Sequence, residues 1–106
     1  MAKIPNHKIE AHISTLAPFV NYNGSIVATN EDGLYRIWHW ETAILTYETN
    51  TGRVDYLYSP YHSQTTSALV GRIVRNLPRQ AVIRFLEEAH SLSAYDQRRI
   101  VKMARL

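Results

Sequence analysis

The sequence predicts an α+β fold: a four-stranded antiparallel meander packed by C-terminal helices, with a short N-terminal helix before it. Short β-rich runs separated by turn residues fill residues 19–58. Apolar residues at helical spacing dominate from residue 66 onward. The 106 residues contain no internal repeat or long linker. We therefore expect a single domain over 1–106, with a flexible arm at 1–7, the meander at 19–58 and a helical part at 64–106.

The predicted meander has strands at 25–29, 34–40, 42–49 and 53–58. The turn at 30–33 ends in Gly33, where the backbone is expected to need a positive φ, and a second turn contains Gly52. Such connections are too short for a parallel crossover, so neighbouring strands should be antiparallel.

Four segments have helical periodicity. Ile9, Ile13 and Leu16 predict a helix at 8–17 that Pro18 ends. A broad apolar stripe predicts the next helix, with Gly71 in it marking a close approach, and its members are Leu69, Val70, Ile73, Val74 and Leu77. Two further helices are expected at 79–90 and 94–105. Tyr95, Ile100, Val101 and Ala104 are the apolar residues of the last one.

Charge is distributed unevenly along the chain. Residues 71–106 carry eight basic against three acidic side chains, whereas residues 1–70 carry four basic against six acidic. Such a balance predicts a C-terminal surface that attracts anions, although an ordinary solvated helix face would explain the same pattern.

Composition excludes several classes of protein. There is no cysteine, which excludes a disulfide scaffold and a Cys-based zinc site. No window approaches the roughly 18 consecutive apolar residues of a membrane span. The first residues lack the apolar segment of a secretory signal, so the expected location is the cytoplasm, without membrane attachment.

Candidate partner-binding residues fall into two groups. Arg36, Trp38 and Trp40 share one face of a predicted strand, which suits either the core or a stacking platform for bases or a partner side chain, and the core is the simpler interpretation. The second group consists of cations in the last two helices, whose arrangement resembles a helix–turn–helix: Arg79, Arg84, Arg98, Arg99, Lys102 and Arg105.

Hydroxyl residues collect before the 66–77 helix. Ser63, Thr65 and Thr66 are N-cap residue types, and they would also add donors to an anion site at the helix N-terminus. Capping alone is the simpler interpretation.

Catalytic and metal motifs are weak. The spacing of His7, Glu10 and His12 departs from that of zinc proteases, and Glu87 with His90 forms only one of the two pairs that a di-iron site needs. His62 beside Ser63 lacks a nucleophile elbow. We expect no enzymatic activity, no metal and no cofactor.

The order of several short motifs resembles a group of small, mostly uncharacterised bacteriophage and prophage proteins with the pattern Pro-Phe…Gly-Ser…Tyr-Ser-x-Thr-Thr-Ser. The likeness covers residues 14–77, and its elements are Pro18-Phe19, Asn23-Gly24-Ser25, Tyr35-Arg36-Ile37 and the run from Tyr61 to Ser67. Tyr61-His62-Ser63 has one residue more than the Tyr-Ser of the group. The resemblance implies an accessory protein made inside an infected bacterium, and it carries over no catalytic residue.

Two functions remain open. The first is non-enzymatic binding to a host protein or protein–nucleic-acid complex, with inhibition of a host defence or transcription system as one form. The second is direct nucleic-acid binding by the basic C-terminal helices. An unpaired edge strand would also allow a homodimer.

Overall fold

The structure, a computed structural model, describes residues 3–58, 63–89 and 92–106. It is an α+β domain in which one mixed sheet is covered on one side by helices. The strands are β1 (Lys3–Ile4), β2 (Phe19–Asn21), β3 (Ile26–Glu31), β4 (Leu34–His39), β5 (Thr42–Glu48) and β6 (Arg53–Leu57). The helices are α1 (Ile9–Ser14), α2 (Gln64–Asn76), α3 (Arg79–Glu88) and α4 (Ala94–Ala104), and a 3-10 turn (Asn6–Lys8) precedes α1.

The sheet has six strands in sequence order, where the sequence predicted four. The four expected strands are β3 to β6, and they pair antiparallel. β2 extends the meander by pairing antiparallel with β3, and β1 pairs parallel with β2. Residues 3–7, for which the sequence predicted a flexible arm, form β1 and enter the 3-10 turn. Strands of two and three residues are too short to leave a periodic signal.

The β3–β4 hairpin confirms the predicted need for glycine. Asp32 and Gly33 have φ values of 55° and 75°, the two positive angles that a type I′ turn requires. The next turn is less usual, because Trp40 lies in it with φ at 53°. β4 therefore ends at His39, one residue earlier than predicted.

Alternation along β4 decides which face of the sheet is buried. Tyr35 and Ile37 are fully buried and belong to the core, whereas Arg36 is exposed and Trp38 is half-buried on the opposite face. The interpretation of both tryptophans as core residues is therefore wrong. We call the face that carries Arg36 and Trp38 the open face, because in the described parts of the chain the helices contribute to the core on the other side.

The helical part follows the predicted stripe closely. Leu69, Val70, Ile73, Val74 and Leu77 are all buried. Gly71 marks a close approach, as expected, since a Cβ there would lie 3.4 Å from Met103 Sδ of α4. α4 thus packs mainly against α2. α1 ends at Ser14, three residues before the predicted boundary, and Leu16 follows it with a φ of 57°.

Candidate functional site

Two of the C-terminal cations hold the helices together. Glu10 of α1 lies 3.9 Å from Arg72 and 3.6 Å from Arg75 of α2, and Asn76 donates a hydrogen bond of 2.8 Å to the same carboxylate. Glu10 therefore joins α1 to α2, and it was among the residues considered for metal binding. These contacts connect positions more than 60 residues apart, which no local motif encodes.

Two predicted contact residues are also engaged within the molecule. Arg84 lies 3.0 Å from Glu88, and Glu88 in turn lies 2.8 Å from Arg53 of β6. Arg99 lies 3.1 Å from Asp96, and its guanidinium is 5.9 Å from the centre of the Tyr95 ring. Arg84 and Arg99 thus have partners in the fold itself.

The exposed side of α4 is cationic. Arg98, Lys102 and Arg105 are exposed and form no ion pair with any residue that the structure describes. Arg98 and Lys102 are four residues apart and lie on one side of the helix, and Arg105 is the C-cap residue that follows the last turn, with a φ of 58°. Asp96, the acidic residue of α4, points away from them and pairs with Arg99. We call this surface, together with the two side chains described next, the α4 face.

Two apolar residues that the sequence places in this helix, Tyr95 and Val101, complete the α4 face. Tyr95 is 63% exposed and Val101 is 37% exposed. Only Ile100 is buried among the α4 residues described. Helical spacing could have revealed this, since Tyr95 and Val101 each lie three residues from Arg98, and Tyr95 and Arg98 point away from Ile100.

Arg79 extends the positive charge beyond α4. It is the first residue of α3 and is exposed. With Ala104 and Leu106 it lines a hollow of about 120 Å³, so it lies beside the end of α4. α4 contacts α2 far more than α3, which differs from two helices that pack chiefly on each other as a helix–turn–helix pair.

The strand candidates do not form one cluster with the α4 face. Arg36 and Trp38 lie on the open face, on the side of the sheet opposite the helices. Trp40 is 64% exposed in the β4–β5 turn, and its backbone N–H donates a hydrogen bond of 2.6 Å to the Ser25 carbonyl. The structure therefore places the strand candidates and the helix candidates on different surfaces, with Trp40 in a turn apart from Arg36 and Trp38.

The hydroxyl residues at the start of α2 act as a cap. Ser63 Oγ accepts a hydrogen bond of 3.1 Å from the Thr66 backbone N–H. The Thr66 hydroxyl is buried between Ser63 Oγ and His39 Nδ1, at 3.1 Å and 3.2 Å. Thr65 is exposed. The observed contacts are those of the capping interpretation, with Ser63 as the N-cap.

Titratable groups do not converge. Among the described residues, no group of three or more His, Asp or Glu side chains is placed to hold a metal ion. His12 Nδ1 lies 3.0 Å from the Lys8 carbonyl, as part of α1. Burial raises the pKa of the Tyr35 hydroxyl, which donates a hydrogen bond to the Ala17 carbonyl. His62 and His90 lie outside the described residues.

A groove of about 320 Å³ lies between β6 and α3. Its charged side chains are Arg53, Asp55 and Glu88, and Arg53 forms ion pairs with both carboxylates. Phe85 and Leu92 supply apolar surface. One cation and two carboxylates therefore line this groove, and both carboxylates are ion-paired with Arg53.

Comparison of the chain with protein-family models, with curated proteins and with solved structures finds no match. None of the helices that the structure describes has the length and hydropathy needed to cross a bilayer.

Proposed function

We propose that the chain is a non-enzymatic binding module that docks on a macromolecular partner through the α4 face. The observation that carries the proposal is the charge of this face: Arg98, Lys102 and Arg105 are exposed and form no ion pair with any described residue. Unpaired cations attract an acidic partner towards the surface and disfavour the binding of a basic one.

The composition of the α4 face favours a protein as the partner. Tyrosine and arginine are enriched in the residues that dominate protein interfaces, and Tyr95 is 63% exposed beside the cations. Val101, which is 37% exposed, adds an apolar contact for which a phosphate backbone has no counterpart. Exposed asparagine and glutamine, which read bases, are missing from the described face, because Gln97 turns inward towards the Leu92 carbonyl.

The partner we propose is a host protein or protein–nucleic-acid complex inside an infected bacterium, and inhibition of a defence or transcription system is one form of this activity. The setting rests on the resemblance to small phage proteins, and the α4 face supplies the means of contact.

The test is affinity purification from bacterial extract with matched variants. Arg98→Gln/Lys102→Gln removes two charges from the α4 face, and Lys3→Gln/Lys8→Gln removes two exposed charges elsewhere. We expect the wild type and the Lys3→Gln/Lys8→Gln variant to retain one common partner. The Arg98→Gln/Lys102→Gln variant should bind this partner about tenfold more weakly, which corresponds to about 1.4 kcal/mol of binding free energy, and should fail to retain it. Equal recovery by the α4 variant would refute the proposal.

Direct nucleic-acid binding by the α4 face is the second candidate, and it is favoured by the three exposed cations on α4 and at its C-cap. Nuclease treatment of the extract separates the two: a protein partner stays bound, whereas a nucleic acid is lost. Phosphate contacts also give a linear fall of log affinity with log salt, with a slope of about −0.9 for each phosphate neutralised.

A further inference from the structure

The open face of the sheet presents two cross-strand rows of side chains. The register places Val27, Trp38 and Ala43 side by side on β3, β4 and β5. The next row is Thr29, Arg36 and Thr46 on the same three strands. These rows cross the middle of a six-stranded sheet, where neighbouring strands hold the backbone rigid.

Arg36 is the charged centre of this face. Its side chain is exposed and forms no ion pair or hydrogen bond with any described residue. Thr29 and Thr46 flank it on the two adjacent strands, and neither hydroxyl is engaged with another described side chain. A guanidinium between two hydroxyl donors is suited to a phosphate group, which accepts several hydrogen bonds at once.

Aromatic surface lies next to this charge. Trp38 is two residues from Arg36 on the same strand and therefore on the same face. Its neighbours in the row include Ala43, a small and exposed side chain, and the indole itself is half-buried. Tyr56 of β6, paired with Thr46, adds a second ring that is 44% exposed. Aromatic side chains of this kind stack on bases of any sequence.

We propose that the open face binds single-stranded nucleic acid, with Arg36 on a backbone phosphate and Trp38 and Tyr56 stacked on bases. A duplex does not fit this surface, because its bases present their flat faces only to one another. The acidic row formed by Glu31 and Glu48 on either side of Leu34 repels phosphate and limits the site to the other two rows. The proposal is independent of the α4 face, which lies on the helical side.

Tryptophan fluorescence tests the proposal directly, because the chain has two tryptophans and only Trp38 lies on the open face. In Trp40→Phe only Trp38 emits, and in Trp38→Phe only Trp40 emits. The probe is a thymidine homopolymer of about 15 nucleotides, at low salt. We expect quenching in Trp40→Phe and none in Trp38→Phe. Quenching confined to Trp40, or no binding by the wild-type protein, overturns the proposal.

Affinity measurements with a labelled copy of the same oligonucleotide give a second test that does not depend on the tryptophans. Arg36→Gln changes an exposed side chain and should weaken binding about tenfold, while Lys8→Gln removes an exposed charge elsewhere and should leave it within twofold. The corresponding duplex should bind at least tenfold more weakly. If Arg36→Gln binds as the wild type does and Arg98→Gln/Lys102→Gln does not, the open face is refuted and nucleic-acid binding belongs to the α4 face.

Discussion

Tyr35 should make the free energy of unfolding depend on pH in the alkaline range, and Tyr35→Phe should remove this dependence. Its side chain is fully buried on β4, and its hydroxyl donates a hydrogen bond of 2.9 Å to the Ala17 carbonyl. Desolvation raises its pKa in the folded protein, whereas in the unfolded chain the group titrates near its usual value of about 10. Below about pH 10 both states keep the proton, so Tyr35 contributes its full stabilisation there.

Above about pH 10 the unfolded chain loses this proton and the folded protein keeps it. The free energy of unfolding should then fall by about 1.4 kcal/mol for each pH unit until the folded-state pKa is reached. Tyr35→Phe removes both the titrating hydroxyl and its hydrogen bond. Because the Ala17 carbonyl loses its donor, the free energy of unfolding at neutral pH should fall by about 1–2 kcal/mol. The wild type is therefore the more stable protein at pH 7, and the two free energies should meet near about pH 11.

Urea unfolding followed by circular dichroism from about pH 8 to about pH 11 measures this convergence. Tyr22→Phe is the matched control, because it removes the hydroxyl of a side chain that is 66% exposed, and its curve should run parallel to that of the wild type. If the curves of Tyr35→Phe and the wild type stay parallel over this range, burial of the Tyr35 hydroxyl does not govern the alkaline stability.

Three further substitutions test the packing by denaturant unfolding. Ile100→Ala should cost about 2–4 kcal/mol, because Ile100 is the buried residue through which α4 docks, and a loss below about 1 kcal/mol would contradict that docking. Ser63→Ala should cost about 1 kcal/mol through loss of the α2 cap, while Thr65→Ala, which changes an exposed residue, should cost less. Trp40→Asn should stabilise the fold by about 1 kcal/mol, because asparagine tolerates a φ of 53° better than tryptophan does, and destabilisation would show that packing of the indole outweighs the backbone strain.

Local signals predicted the parts of the fold that depend on neighbouring residues. The apolar stripe of α2 was correct because burial of one helix side imposes a period that the sequence must carry. The prediction of a positive φ at Gly33 was correct because a type I′ turn requires a positive φ at its second central residue. Both rules act over fewer than about ten residues, which is the range that a single sequence reports well.

The errors arise where the sequence gives two equal answers or none. β4 has apolar residues on both faces, so alternation alone does not say whether Ile37 or Trp38 is buried. The structure decides this, because Ile37 belongs to the core that also contains the buried residues of the helices. Likewise, nothing local distinguishes Arg72, which meets Glu10 across 62 positions of the chain, from Arg98, which meets no acid in the described structure.

The number of cations in the C-terminal part therefore does not by itself determine its positive surface, which depends on which cations are ion-paired within the fold. Four of its eight cations form ion pairs with described carboxylates, namely Arg72, Arg75, Arg84 and Arg99. Three of the others, Arg98, Lys102 and Arg105, point outward from α4, where the described chain offers no acid. Because the open face lies on the other side of the sheet, no single flat partner surface can contact both. A partner that uses both must either wrap around the domain or consist of two components, and a protein bound to a nucleic-acid strand meets the second requirement.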